Sequence, residues 1–211
     1  MARKTKEEAQ ETRNKLLDTA EKLFHEKGVS RTSLADIAEA AGMTRGAIYW
    51  HFENKVDLFN AMFDRVRLPM EAVIDESQRE DVEDPLGEFR KTVGWVFSEI
   101  VHNEHFRLVF DILFHKCEFV AEMGPIMERD REQHAVSLER ISGVLRNAER
   151  RGQLKPGLNY RLAAVAFHGF ICGLISDWLF APQAFDLEHD GARLADAFFE
   201  GLRVSESLRI Q

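Results

Sequence analysis

Cysteine is nearly absent: Cys117 and Cys172 are the only two in 211 residues. Two thiols make no disulfide framework, so they suit a reduced cytoplasmic compartment and read most simply as buried thiols. An excess of basic charge is lacking as well, with 28 Lys and Arg against 36 Asp and Glu and a formal net charge of −8. That excludes a protein that holds a polyanion through its global charge. The deficit is uneven: residues 1–67 hold 12 basic and 11 acidic residues, leaving 16 and 25 for residues 68–211. Any nucleic-acid contact must therefore be a local surface of the N-terminal third. The opening MARKTKEEAQETR has charge but no apolar core after it, unlike a signal peptide, and no uninterrupted apolar segment is expected to span a bilayer, so no membrane partner is expected. Also missing are an alternating β-like pattern, an internal repeat and a low-complexity segment. Nor do the histidines, carboxylates and cysteines form a recognisable nucleophile, metal or phosphate-binding motif, which argues against an enzyme and leaves no cofactor or metal expected.

What is present is helical periodicity, and it predicts an all-α chain of about nine helices. The first is amphipathic through Leu16, Leu17, Ala20, Leu23 and Phe24, and Gly28 gives its exit. A fourth helix runs from Lys55 to about Val66, with Pro69 expected to kink or end it. Asp84 caps a helix with Pro85 at its first position. Further helices are expected over His105 to about Cys117, from the Gly124-Pro125 break to Gly152, over Tyr160 to Ala181, and after a cap at Asp186.

The most informative stretch is residues 33–52, read as a helix-turn-helix. Leu34, Ile37, Ala38 and Ala41 share one face; Ser33 can cap the first helix, with Asp36 in the Glu place of a capping box. Gly42 tolerates the positive φ of the turn, and Thr44 can cap the second helix. Ala47, Ile48 and Phe52 face inward. Thr44, Arg45, Tyr49, Trp50, His51 and Lys55 are left for the outside or the rim, where hydroxyls and Arg meet base edges and Lys, Tyr and His meet phosphates. Each position has a plainer role: Thr44 as a cap, Tyr49 and Trp50 as packing residues, Arg45 and Lys55 as solvated charges, His51 as a structural histidine.

The run RTSLADIAEAAGMTRGAIYWHFENKVDLF, from Arg31 to Phe59, closely resembles the DNA-binding domain of the TetR family of transcriptional regulators. MARKTKEEAQETR, HKCEF at His115–Phe119 and DWLFAPQAFDL at Asp177–Leu187 resemble the branch of that family that represses multidrug efflux pump genes. The resemblance implies a three-helix DNA-binding head in residues 1–55 and a helical ligand-binding and dimerisation domain in residues 56–211. It places Ser33, Thr44, Arg45, Gly46, Tyr49, Trp50, His51 and Lys55 at DNA-facing positions, and a basic tail of Arg3, Lys4 and Lys6 on the backbone or minor groove. Met43 stands where many relatives carry Val or a small polar residue.

Sixteen phenylalanines suit the body to an aromatic-lined apolar cavity. Its candidate lining is Phe89, Val93, Val96, Phe97, Phe110, Phe114, Phe167, Phe170, Ile171 and Phe180, with Cys117, His168, Ser176 and Asp177 as polar handles. Any one of these phenylalanines serves equally as core. Phe170, Trp178, Leu194, Phe198 and Leu202 are candidates for a homodimer interface, which the family resemblance also implies; a dimer would present its two reading helices about 34–36 Å apart to a palindromic operator. The expected function is thus a ligand-responsive repressor, released from operator DNA by an apolar or aromatic small-molecule inducer and controlling an efflux pump operon. The alternative is a helical small-molecule-sensing or scaffold protein without specific DNA binding.

Overall fold

The computed structural model describes residues 6–77, 79, 81–117 and 124–210. Among them are nine α-helices: α1 Lys6–Lys27, α2 Leu34–Ala40, α3 Arg45–His51, α4 Lys55–Ser77, α5 Pro85–His102, α6 Glu104–Asp111, α7 Gly124–Arg150, α8 Tyr160–Phe180 and α9 His189–Val204. No strand occurs among the described residues; a single bridge pairs Leu158 with Arg209. Packing divides the chain into two units, one from residues 1–67 with 105–129, the other from 68–104 with 130–211. Helices α4 and α7 each run from one unit into the other.

In the first unit α1 buries the expected stripe of Leu16, Leu17, Ala20, Leu23 and Phe24, each large side chain contributing about 1.5–3 kcal/mol of apolar burial. Val29, Ile37, Ile48, Phe52, Leu58, Phe59 and Met62 close over it. One charged residue intrudes. Glu21 is 1% exposed, with Arg65 Nη1 3.1 Å from Oε1 and His105 Nδ1 2.6 Å from Oε2. Burial pushes its carboxyl above the ordinary range, while His105 and Arg65 pull the other way.

Three expectations change here. Lys6 opens α1 rather than lying in a tail; Arg3 and Lys4 are outside the described residues, as are Glu118 and Phe119 of HKCEF. Helix α4 does not end at Pro69 but continues to Ser77. Its added turns are held by Arg140 of α7, 2.6 Å from Glu71 and 2.9 Å from Asp75, and these pairs offset the donor that proline lacks. The expected helix from His105 to Cys117 stops at Asp111 and passes into a π-helical turn, Ile112–Lys116. Asp111 binds His115 of that turn at 2.8 Å and His25 of α1 at 3.2 Å, and the Lys116 carbonyl accepts from Val29 N at 3.2 Å. The His25 and Val29 partners come from outside this helical segment.

In the second unit Asp84 caps α5 through Gly87 N at 2.8 Å, and Phe89, Val93, Val96, Phe97 and Ile100 are buried. Phe167 of α8 sits 4.9 Å from Phe89 and 5.1 Å from Phe199 of α9, ring centre to ring centre. Asn159 caps α8, and Asp186 accepts from His189 N at the start of α9. Trp178 and Leu202, expected at a subunit interface, are buried within the single chain, because the apolar stripes of α8 and α9 face this core first. One further correction concerns α8. It is long and apolar enough, by length and composition, to cross a membrane, since Arg161 and Asp177 are its only charged residues at neutral pH. Its Ala163, Ala164, Phe167, Ile175 and Trp178 are part of the unit's core, while Leu162, Val165 and Phe180 are exposed.

Candidate nucleic-acid interface and ligand site

The turn between α2 and α3 is built from backbone bonds. Gly42, at φ +67, donates to the Glu39 carbonyl at 2.9 Å, and Met43 donates to the Ala38 carbonyl at 2.8 Å. This pair of bonds satisfies the end of α2 and reverses the chain, with glycine in the left-handed region where a side chain is strained. Thr44 Oγ1 then accepts from Ala47 N at 3.2 Å and starts α3.

Helix α3 has two sides of opposite character. Ile48 is buried, and Phe52, which ends the helix, is buried under the Arg13 guanidinium at 5.0 Å. Thr44, Arg45 and Gly46 are exposed on the other side, as are Tyr49 at 59% and Trp50 at 72%. Arg45 and Tyr49 are one turn apart, as are Gly46 and Trp50, so these groups form one strip. His51 is half-buried with its ring edge-on to Trp50 at 4.5 Å. No acidic residue occupies the first turn of α3, where the helix dipole favours an anion. A helix with one packed side and a polar, aromatic strip opposite fits a major groove.

Two of the expected DNA-facing residues have work within the fold. The Ser33 hydroxyl donates to Asp36 Oδ2 at 2.6 Å and accepts from Asp36 N at 3.2 Å, while Ser33 N donates to the same carboxylate at 2.8 Å. That reciprocal box holds the Asp36 carboxyl below its ordinary range. Lys55 Nζ donates to the carbonyls of Val29 at 3.0 Å and Ser30 at 3.2 Å, tying the start of α4 to the exit of α1. Thr44 differs, because capping uses only a lone pair and leaves its O–H free to donate.

The expected ligand lining is distributed over both units. Phe110 and Phe114 stack at 6.0 Å in the first unit, which also holds Cys117. Phe89, Val93, Val96, Phe97 and Phe167 are buried in the second unit's core. Phe170, stacked on Phe198 at 5.3 Å, is half-buried together with His168, Ile171 and Ser176, whereas Asp177 is exposed and Phe180 is 84% exposed. A cavity of about 550 Å³ opens beside the end of α4 and the start of α5. Val73, Val82, Thr92 and Trp95 supply its less polar wall and Glu76, Arg79, Asp81, Glu88 and Lys91 its charged rim; none of the expected lining residues takes part.

Two titratable groupings were not anticipated. Asp18, Glu21 and His105 bring three possible ligand atoms within 4.8 Å of one another. Arg65 Nη1 already bonds both carboxylates, at 2.6 and 3.1 Å, and supplies the cation there. On α7 and α8, His134 meets His168 edge-on at 4.6 Å, and Cys172 Sγ lies 3.7 Å from His168 Nδ1. Burial pushes the Cys172 thiol up to about 11 and holds His168 below its ordinary value. The legible signal was a pair of i,i+4 spacings, Asp130 with His134 and His168 with Cys172, each on one helix.

Comparison with known proteins agrees with this arrangement along nearly the whole chain. The HTH-type transcriptional regulator TtgR of Pseudomonas putida is 44% identical over 209 residues, covering 99% of this chain and 100% of the relative. The crystal structure of NalD, the secondary repressor of the MexAB-OprM multidrug efflux pump in Pseudomonas aeruginosa, superposes with a TM-score of 0.84 at 39% identity, covering 95% of this chain and 100% of that one. SmeT, the repressor of the Stenotrophomonas maltophilia multidrug efflux pump SmeDEF, matches in its complex with triclosan with a TM-score of 0.84 at 31% identity and 95% coverage of each chain. The model for bacterial regulatory proteins of the tetR family matches residues 16–62, and that for the C-terminal region of MAATS-type transcriptional repressors matches residues 84–204. With both regions matched in order, the chain belongs to the TetR family of transcriptional regulators, proteins that bind DNA rather than catalyse reactions.

Proposed function

We propose that this regulator is a cytoplasmic homodimeric repressor of a multidrug efflux operon, bound to a palindromic operator and released by an apolar or aromatic small molecule. The observation that carries the DNA reading is the exposed strip of Thr44, Arg45, Gly46, Tyr49 and Trp50 on a helix whose other side is packed. Thr44 and Arg45 meet base edges; Tyr49, Trp50 and His51 fix the phosphate backbone. Functionally the chain divides at 55/56, with DNA reading before and ligand binding and dimerisation after. The efflux branch is supported by relatives that carry that role in their names and are matched over 95% or more of their length. Phe89, Val93, Val96, Phe97, Phe167 and Phe170 form the apolar side of the ligand site, with His168 as its polar handle. Leu162, Val165 and Leu194, exposed on α8 and α9, suit the dimer face. A ligand releases the operator only by binding the released arrangement more tightly than the bound one.

The test is retention of the protein's own upstream DNA at several salt concentrations, with Arg45→Ala and Tyr49→Ala as controls and candidate drugs added. Retention lost in both variants and released by a drug supports the proposal. Retention without release by any apolar or aromatic compound removes the sensor role, and indifference to both substitutions leaves a helical sensor or scaffold without specific DNA binding.

A further inference from the structure

Helix α5 presents two faces. Phe89, Val93 and Val96 are buried in the core of the second unit. Glu88, Lys91, Thr92 and Trp95 recur at intervals of three and four residues on a different face. They line the cavity of about 550 Å³ together with Val73 and Glu76, themselves three apart on α4. That volume falls within the range of about 300–1,000 Å³ occupied by small-molecule sites.

The polar groups of the wall decide which guest fits. Both cations are already engaged: Arg79 binds Asp81 through Nε at 3.0 Å and Nη2 at 2.7 Å, and Lys91 Nζ binds Glu88 at 2.7 Å. Each pair keeps itself ionised, since the bond to Arg79 lowers the Asp81 carboxyl and the bond to Glu88 raises the Lys91 ammonium. Glu76 is within electrostatic reach of Arg79 but forms no ion pair among the described residues. The lining carboxylates Glu76, Asp81 and Glu88 thus exceed the cations Arg79 and Lys91 by one charge, on a stretch, residues 68–211, that holds 16 basic and 25 acidic residues. Thr92, 4% exposed, donates its hydroxyl proton to the Glu88 carbonyl at 3.0 Å, so its oxygen is left to accept. An anion would meet acceptors and cations already paired. A neutral apolar guest would cover the Glu76 carboxylate without a counter-charge, which costs affinity.

We propose that this cavity is a second small-molecule site, separate from the aromatic core, that binds one organic ammonium ion with an apolar body per chain. Glu76 supplies the counter-charge, and Thr92 Oγ1 accepts from an N–H of the ligand. Trp95 gives an indole face that attracts a cation, and Val73 and Val82 take the apolar body.

Binding here depends on neither the operator nor the aromatic core site, so the test uses neither DNA nor an apolar drug. Isothermal titration calorimetry of the full-length protein at neutral pH compares phenylbutylammonium with phenylbutanol and phenylbutyrate, which share its apolar body. The ammonium should saturate at one per chain, with the alcohol and the carboxylate weaker by about tenfold or more. Added salt should weaken the ammonium and not the alcohol. Glu76→Gln, at an exposed position, should cost the ammonium about tenfold and leave the alcohol unchanged, at an unfolding midpoint equal to wild type. Trp95→Ala should weaken both, and Trp95→Phe should retain most of the binding. No saturable binding of the ammonium, or equal binding of all three compounds, overturns the proposal. Ammonium binding indifferent to Glu76→Gln also overturns it and moves the ligand to the aromatic core.

Discussion

Replacing Lys55 with Met keeps the aliphatic stem and removes one charge and its donors. In the folded protein the ammonium holds the Val29 and Ser30 carbonyls at 3.0 and 3.2 Å and so fixes the first turn of α4 against the chain leaving α1. Hydrogen bonds to a charged group contribute about 1.5–3 kcal/mol each, and ordering a long lysine side chain offsets up to about 2 kcal/mol. The half-buried setting screens the remainder, leaving a net loss of about 2 kcal/mol. With a urea slope of about 1–3 kcal/mol/M, the midpoint should fall by about 1 M with the slope unchanged, measured at fixed protein concentration because the stability of the proposed dimer would depend on it. Operator binding supplies the second readout. Loss of one phosphate contact lowers the slope of log affinity against log salt by about 0.9; Lys55→Met should change it by less than half that, since two donors already serve carbonyls. Unfolding within about 0.5 kcal/mol of wild type, together with a full reduction in salt slope, would refute the reasoning and assign the ammonium to DNA.

Gly42→Ala meets no atom within 4 Å, so its penalty is the backbone at φ +67 alone, about 1 kcal/mol; thermal unfolding should shift by about 2–4 °C, and an unchanged midpoint would show that the turn relaxes. Trp50→Ala, at a side chain 72% exposed, should leave stability within about 0.5 kcal/mol while weakening operator retention, and a large stability loss would count against the exposed strip. Asp64 is pushed up by burial, but Arg129 and Arg67, bonded at 2.7 and 2.9 Å, outweigh it and hold the carboxyl below its ordinary value. A lowered folded-state pKa contributes stability that is present above the unfolded value and lost as pH falls through the folded one. Wild type should therefore lose stability below about pH 4, with a flatter profile for Asp64→Asn in equilibrium unfolding across that window.

How far the chain could be read by itself depended on the range of the interactions involved. The stripe Leu16, Leu17, Ala20, Leu23 and Phe24, the capping box of Ser33 and Asp36, the glycine turn at Gly42, the Thr44 cap and the Asp84 cap all appear as expected. Each depends on residues within about one or two helical turns, where helical spacing alone decides which groups meet. That same local logic ended α4 near Val66, because the bonds that carry it onward come from Arg140, about seventy positions away in the chain. It also missed the buried Glu21, whose partners Arg65 and His105 are on other helices, and the π-helical turn, whose Lys116 carbonyl is engaged by Val29.

For the candidate sites the division is similar. The reading strip on α3 was legible because inward and outward positions alternate with the helical period, and the Arg31–Phe59 run carried the family resemblance in full. That Ser33 and Lys55 are committed to the fold, and that His134 meets His168, was not legible. Residue type and local spacing determined the helices, their caps and the reading surface; tertiary structure alone decided which polar side chains are already spent on partners and which distant ones meet, since packing brings together groups whose separation in sequence carries no periodic signal.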